Sequence, residues 1–310
     1  MPPCGLLNLN KPAGMTSRQA VDNVQRLARP AKAGHAGTLD PLAHGVLVVG
    51  VGSATRLIEY VQRMPKRYVG TFLLGRQSAT EDIEGDVTEL PGAPLPTREQ
   101  IEAAAGRFVG RIEQRPPAFS AVKIRGRPAY KLARQGKPIA LEPRPVEIYR
   151  IEIKAYRYPE LVLEIECGGG TYVRSLGRDL AESLGTAAVM SALERTSIGS
   201  LRIEEAINPR ELTRDNWLPF LQPALRAVEY LPRVQLSAEE AVRLRNGLTI
   251  EMGGEGRGTG ECLPPAASPE CGELAAIDPA GQLVGILVPG NPGQWRSVRI
   301  LPTVTHSSTP

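Results

Sequence analysis

The sequence GHAGTLDPLAHGVLVVGV (residues 34–51) joins a glycine-rich loop with one carboxylate to an apolar run. The apolar residues 46–51 predict a buried strand or a turn of a core helix. We therefore expect the glycine-rich loop that precedes them to lie next to the hydrophobic core. Asp40 followed by Pro41 is also the pattern of a helix N-cap and the first helical residue. From these residues alone, Asp40 is either a structural cap or a carboxylate available for chemistry.

The composition around this loop is that of a globular protein with a small positive charge. Of 310 residues, 37 are Lys or Arg and 33 are Asp or Glu, so the formal net charge is +4, and 42% are apolar. No run approaches the ~18 apolar residues that a membrane helix needs, and the first residues lack the pattern of a secretory signal. We therefore expect a cytoplasmic protein that does not bind a membrane.

The 4 cysteines and 3 histidines are scattered, whereas a structural zinc site needs closely spaced pairs of ligands. We expect no bound metal ion, and we expect the cysteines to be reduced thiols. A contact between Cys262 and Cys271 across their loop stays open. The sequence also lacks a phosphate-binding P-loop and a dinucleotide fingerprint, so we expect no cofactor.

Strand and helix patterns are mixed along the chain without the regular alternation of a doubly wound sheet, which predicts an α+β fold. Capping boxes at Thr16 and Thr97 predict the starts of two helices, and Ser53 is a candidate cap for a third. The pattern changes near residue 230. We predict one domain over residues 1–230 and a small β-rich domain with a tail over residues 231–310.

Residues 107–137 carry nine basic side chains and one acid, Glu113, with Phe119 and Tyr130 among them. Such a segment is typical of a surface that binds a phosphate backbone, because each neutralised phosphate releases counterions. The alternative is a solvated face whose long side chains cover apolar surface. Pro116, Pro117 and Gly126 favour a projecting hairpin over a smooth helix face.

Five groups of residues between positions 5 and 200 resemble, in colinear order, the motifs of the TruB family of tRNA pseudouridine synthases. The loop with Asp40 follows the family pattern NKPxGxTS at residues 10–17. Lys66-Arg67-Tyr68 resembles the second motif, and residues 107–137 resemble the RNA-gripping insertion. The remaining matches are GTYVRSL at residues 170–176 and LxRT at residues 193–196.

The resemblance implies a pseudouridine-synthase catalytic domain with a mixed, mainly antiparallel sheet and flanking helices, followed by a small RNA-binding (PUA-like) domain. It also implies an isomerase that converts uridine to pseudouridine at position 55 in the T-loop of tRNA, after the base flips out of its stack. The partner would be the T-stem-loop of tRNA. The enzyme would act as a monomer, without a guide RNA and without a cofactor.

The resemblance further implies roles for single residues. Asp40 would be the nucleophile, attacking base C6 or sugar C1′, and Arg174 would pair with it and hold it ionised. Tyr68 would stack on the uracil and help to remove the C5 proton, although an ordinary pKa of ~10 makes a poor base. Further substrate contacts would come from His35, Tyr172 and Leu193, and contacts with the RNA backbone from Lys123, Arg125 and Arg127.

Three alternatives remain: an RNA-binding folding chaperone without chemistry, a subunit that depends on a guide RNA, and a glycosidase. A glycosidase needs two carboxylates about 5–9 Å apart, and the sequence suggests no second acid beside Asp40. The sequence departs from the family pattern at four places. Ser78-Ala79-Thr80 replaces a usual Thr-Asp-Thr, and Phe119 replaces a usual Tyr. His44 stands where Thr or Ser is usual, and Glu194 stands where Arg is usual.

Overall fold

A computed structural model describes residues 2–120, 123–124, 127–129, 132, 135, 141–251 and 272–302. Its helices, without the short 3₁₀ turns, are α1 (Ser17–Ala28), α2 (Ile58–Arg63), α3 (Arg98–Gly106), α4 (Val173–Ser183) and α5 (Ala238–Arg245). Its strands are β1 (Gly5–Lys11), β2 (Ala33–His35), β3 (His44–Val51), β4 (Lys66–Leu74), β5 (Arg76–Gln77), β6 (Thr88–Glu89), β7 (Gly110–Gln114), β8 (Lys123–Ile124), β9 (Arg127–Pro128), β10 (Arg144–Arg157), β11 (Glu160–Cys167), β12 (Ala188–Ile198), β13 (Leu201–Arg202), β14 (Arg233–Gln235), β15 (Ile250–Glu251), β16 (Leu274–Ile277), β17 (Leu283–Pro289) and β18 (Gln294–Ile300).

Nine strands of the described residues form one sheet, with the order β1-β3-β12-β4-β11-β10-β7 and with β2 and β13 beside β3 and β12. The pairs are antiparallel except β3 with β12, which run parallel over two residues. The predicted α+β class and its mixed, mainly antiparallel sheet are therefore confirmed. The apolar run after the Asp40 loop is the buried strand β3, not a helix turn.

Local sequence signals explain where the helices begin and end. Thr16 and Thr97 form complete capping boxes at α1 and α3, as predicted. The prediction for Ser53 was wrong, because a 3₁₀ turn over Gly52–Leu57 precedes α2 and no side chain caps either element. Gly185, with φ of 73°, follows the C-terminus of α4 in the left-handed region that favours glycine.

One face of the sheet is covered by α3 and α4, which bury a cluster that includes Phe72, Ile165, Leu176 and Leu193. Helix α4 lies unusually close to β4 at Gly177. A Cβ atom there would lie 2.1 Å from a ring carbon of Phe72. The glycine therefore sets the distance between α4, which carries Arg174, and the sheet.

A second sheet near the C-terminus has the order β14-β16-β17-β18-β15, and helix α5 packs against it. Apolar residues of this β-rich region, including Leu231 and Ile286, share a buried cluster with Leu6 and Val46 of the first sheet. Glu273 also accepts hydrogen bonds from Tyr60 and Arg63, at 2.9 and 2.7 Å. The β-rich region is thus anchored to the large sheet, and a domain division at residue 230 stays a prediction.

Candidate functional site

The loop before β3 holds Asp40 in a turn that no helix follows. The backbone N–H of Ala43 donates to the carbonyl of Asp40 at 3.1 Å, and the next element is a strand. The Ser17 hydroxyl holds the loop in place. It accepts a hydrogen bond from the N–H of Leu39 at 2.9 Å and donates one to the carbonyl of Leu39 at 3.0 Å. The interpretation of Asp40 as a helix cap is therefore wrong, and its carboxylate is directed elsewhere.

The Asp40 carboxylate pairs with the guanidinium of Arg174. The Oδ2 atom of Asp40 lies 2.9 Å from Nε of Arg174, and 34% of the Asp40 side chain is exposed against 5% for Arg174. An anion held by a buried cation, yet open on its other side, can approach a bound molecule. The structure thus brings together the two residues that the sequence predicted as partners.

Arg174 is itself held by three further groups. Its Nη1 atom lies 3.2 Å from Oδ2 of the buried Asp82 and donates to the carbonyl of Thr80 at 2.7 Å. Its Nη2 atom donates to the carbonyl of Phe119 at 3.1 Å, at the edge of the basic segment. The guanidinium has little freedom to leave Asp40, because its other donors are occupied in a buried setting.

Tyr68 and Leu193 form an apolar wall in the same cluster as Leu39, the residue before Asp40. They lie on the paired strands β4 and β12, where Arg195 is opposite Tyr68 and Leu193 is opposite Gly70. Burial raises the pKa of Tyr68 above its ordinary value. The phenol is therefore protonated at neutral pH, which is the opposite of what a general base requires.

Arg195 ties the wall to the loop. It is buried beside the Tyr68 ring, with Cζ 6.0 Å from the ring centroid. Its Nε atom donates to the carbonyl of Val46 at 2.7 Å and its Nη2 atom to the carbonyl of Gly37 at 3.3 Å. The side chain thus links β12 to both ends of the Asp40 loop and supplies a second buried positive charge near the site.

His35 and Tyr172 lie half-buried in the elements that flank Asp40 and Arg174. Burial lowers the pKa of His35, and its Nδ1 atom is buried without a hydrogen-bond partner among the described residues. The imidazole is therefore neutral at pH 7 and has one unused polar atom. Tyr172 is the residue before α4, two positions ahead of Arg174.

Two buried lysines support the backbone next to the site. Lys11 Nζ donates to the carbonyls of Met15 and Pro12, at 2.7 and 3.1 Å, beside the loop. Lys66 donates to the carbonyls of Gln62 and Met64, where α2 ends and β4 begins. Burial lowers the pKa of each lysine to about 8.

The basic segment reaches the site at Phe119, but ten of its 31 residues lie outside the described ones. Lys123 and Arg127 belong to the paired strands β8 and β9, consistent with the predicted hairpin. Arg125 and the side chains of Lys123 and Arg127 are not described. Their binding of an RNA backbone therefore stays a prediction. Cys262 and Cys271 lie outside the described residues, so a contact between them stays open.

Two of the four departures from the family pattern face each other. His44 and Glu194 are register partners on β3 and β12, and Nδ1 of His44 lies 3.5 Å from Oε1 of Glu194. Among the described residues, no group of three or more His, Cys, Asp or Glu could hold a metal ion, and no helix is long and apolar enough to cross a membrane.

Comparison with known proteins assigns the chain to a family. The tRNA pseudouridine synthase B of Arthrobacter sp. (strain FB24) is 39% identical over 290 residues, which cover 91% of this chain and 92% of that protein. The model of the TruB family pseudouridylate synthase N-terminal domain matches residues 25–173. The chain belongs to the TruB family. A tRNA pseudouridine synthase B of Thermosipho melanesiensis is 44% identical, with 78% and 79% coverage.

Solved structures agree with this TruB family assignment. A chain in the crystal structure of a Cbf5–Nop10–Gar1 complex is 26% identical, with a TM-score of 0.68, and the match covers 92% of this chain and 78% of that chain. A chain in the archaeal box H/ACA Nop10–Cbf5 complex matches with a TM-score of 0.66 at 22% identity, covering 96% and 85%. The match to the second chain shows the shared fold.

Sequence reasoning missed two of the charged residues that build this TruB site. Asp82 lies 92 positions before Arg174, in a polar loop with several acids, and its burial has no local sequence signal. Arg195 belongs to the LxRT motif, but the motif did not reveal that its side chain bonds the Asp40 loop. Both contacts depend on which strands are neighbours in the sheet.

Proposed function

We propose that this TruB family member isomerises uridine to pseudouridine in tRNA, at position 55 of the T-loop. The observation that carries the proposal is the exposed Asp40 carboxylate, paired with buried Arg174 beside the wall of Tyr68 and Leu193. The names of the relatives supply the substrate class. A carboxylate beside an apolar wall suits a pyrimidine that has left its stack, at a cost of a few kcal/mol for the RNA.

The proposed chemistry uses Asp40 as a nucleophile. Attack of its carboxylate on sugar C1′ or on base C6 leads to the same net change. The N1–C1′ bond breaks, the base turns, a bond forms between C5 and C1′, and the proton lost from C5 is balanced by one gained at N1. No redox partner or energy source is required, because reactant and product are isomers.

The surroundings of Asp40 suit this role. Arg174 pairs with the carboxylate at 2.9 Å and orients it, and the charge of Arg174 is offset by Asp82 on its far side. Tyr68, protonated and buried, offers a ring on which a uracil can stack rather than a base for the C5 proton. His35, Tyr172 and Leu193 complete the substrate contacts in this proposal.

We infer further that the partner is the T-stem-loop alone, bound through the basic segment at Lys123, Arg125 and Arg127 and through a PUA-like C-terminal region. The concentration of positive charge in residues 107–137 supports this interpretation. The chain would act as a cytoplasmic monomer without a guide RNA.

The test is tritium release from a T-loop hairpin that carries [5-³H]uridine at the target position. Forming the C5–C1′ bond expels the hydrogen of C5, so the purified chain alone should release tritium stoichiometrically. A second hairpin with tritiated uridine only at another loop position is the control for site selection. Tight binding with no release from either hairpin would reject the enzyme and favour a chaperone, and release only after a guide RNA is added would reject stand-alone action.

A further inference from the structure

A buried glutamine lies at the edge of the large sheet and has no role in the site as described so far. Gln114 is the last residue of β7, is 1% exposed and lies opposite Arg144 of β10 in the strand register. It is 58 positions before Tyr172, the residue that precedes α4, in the sequence. A buried primary amide is costly unless both its donor and its acceptor are used.

Both polar atoms of this amide bond the backbone of one residue, Tyr172. Nε2 of Gln114 donates to the carbonyl of Tyr172 at 3.0 Å, and the N–H of Tyr172 donates to Oε1 of Gln114 at 2.8 Å. The side chain thus pairs with Tyr172 as a neighbouring strand would. Tyr172 is the N-cap of α4, and no side chain caps the N-terminus of this helix. The two hydrogen bonds from Gln114 therefore hold the backbone at the start of α4.

The ring of Tyr172 is held from the same pair of strands. The guanidinium carbon of Arg144 lies 5.2 Å from the ring centroid, within the range of a cation–π contact. Nε of Arg144 is buried without a hydrogen-bond partner among the described residues. Gln114 holds the backbone of Tyr172, and Arg144 faces its ring.

We propose that Gln114 is a positioning residue that sets where the Tyr172 ring and the Arg174 guanidinium meet the substrate. Arg174 lies two residues after Tyr172, and its Nε atom must remain 2.9 Å from the Asp40 carboxylate. A shift of the first turn of α4 moves this guanidinium and the ring together. The inference rests on the proposed function, because positioning is measured through turnover.

The experiment compares Gln114→Glu and Gln114→Ala with the wild-type chain. Glutamate keeps an acceptor for the N–H of Tyr172 but, when ionised, has no donor for its carbonyl, and alanine loses both bonds. Single-turnover tritium release from the hairpin with enzyme in excess gives the rate constant, and filter binding gives the Kd. Gln77→Glu, at an exposed position of β5, controls for the added negative charge.

We expect both Gln114 variants to lower the rate constant at least tenfold, with the Kd within about threefold of wild type and Gln77→Glu unchanged. Circular dichroism and thermal unfolding check that each variant is folded. Wild-type rates in folded variants would overturn the inference, as would a loss explained by Kd alone or the unfolding of both variants, which would indicate a purely structural role. If the wild-type chain itself releases no tritium, the proposed function fails and this inference fails with it.

Discussion

At the scale of single residues, the site is organised around the buried guanidinium of Arg174. It contacts Asp40 at 2.9 Å and Asp82 at 3.2 Å, and only Asp40 is substantially exposed. A buried ion pair is weak support for stability, but removing one partner leaves an uncompensated charge. Asp82 therefore matters for the position of Arg174 even though it does not face the open side of the site.

Replacing Asp82 with Asn should lower both stability and turnover. Arg174 keeps Asp40 as a partner, so the loss of Asp82 costs less than the about 3–5 kcal/mol of a fully unpaired buried charge. Arg174 also loses the contact that opposes its pull toward Asp40. We expect the single-turnover rate to fall at least tenfold. Asp86→Asn, at an exposed carboxylate in the same loop, is the control, and equal rates for the two variants would contradict this account.

The buried ammonium of Lys66 should appear in the pH dependence of stability. Burial lowers its pKa to about 8 from 10.5, so the unfolded chain binds this proton more tightly than the folded one. The contribution of Lys66 to the free energy of unfolding therefore rises as pH increases from about 8 to about 10.5. Lys66→Met removes this dependence.

Denaturant titrations across that pH range measure the difference in free energy of unfolding between wild type and Lys66→Met. As the pH rises from about 8 to about 10.5, the free energy of unfolding of wild type should increase relative to that of Lys66→Met by up to about 3 kcal/mol. The size follows because one pKa unit corresponds to about 1.4 kcal/mol. Lys32→Met, at an exposed lysine, should give no such shift. A difference for Lys66→Met that does not vary with pH would show that its ammonium is not desolvated.

At the scale of elements, the site depends on how closely α4 approaches β4. Gly177 permits this approach, since a Cβ atom would lie 2.1 Å from the buried Phe72 ring. The ring is 1% exposed and cannot move toward solvent without leaving the core. The helix must therefore move if the glycine is replaced, and Arg174 moves with it.

Gly177→Ala should lower the thermal unfolding temperature by several degrees and the single-turnover rate at least tenfold, because overpacking costs about 1–3 kcal/mol and displaces the helix. Gly106→Ala is the control, since a Cβ atom there meets nothing within 4 Å. Adding Phe72→Leu to Gly177→Ala should recover part of the rate by making room for the methyl group. Full activity in Gly177→Ala would show that α4 tolerates the displacement.

Elements with strong local signals were predictable from the sequence, and their partners were not. Capping boxes at Thr16 and Thr97 place two helix starts because the bonds involved are three residues apart. The prediction for Ser53 failed because this residue lies inside a 3₁₀ turn over Gly52–Leu57 and not before a helix. The order of β3, β12 and β4 joins segments far apart in sequence, so neither the position of Arg195 nor the bonds of Gln114 had a local signal.

At the scale of the whole molecule, the distribution of charge predicts how RNA binding depends on salt. The chain carries a net charge of +4, but residues 107–137 carry nine basic side chains and one acid. Each phosphate contact contributes about 0.7–0.9 to the slope of log affinity against log salt. The triple replacement of Lys123, Arg125 and Arg127 by Ala should therefore flatten the slope by about 2–3.

Hairpin affinity measured between 50 and 300 mM salt checks this prediction. The matched control replaces Arg26, Arg210 and Arg214, which line a groove beside α1, and changes the net charge by the same amount. The control should shift affinity little and leave the slope unchanged. An unchanged slope in the first triple variant would place the phosphate contacts elsewhere on the surface.

The whole account depends on the carboxylate of Asp40, and Asp40→Asn tests it most directly. Asparagine keeps the size of the side chain but is not a nucleophile of comparable strength and cannot form the ion pair with Arg174. In single-turnover assays on the T-loop hairpin, we expect no tritium release above background while the Kd stays within a few fold of wild type. Release at a rate within tenfold of wild type would contradict the account.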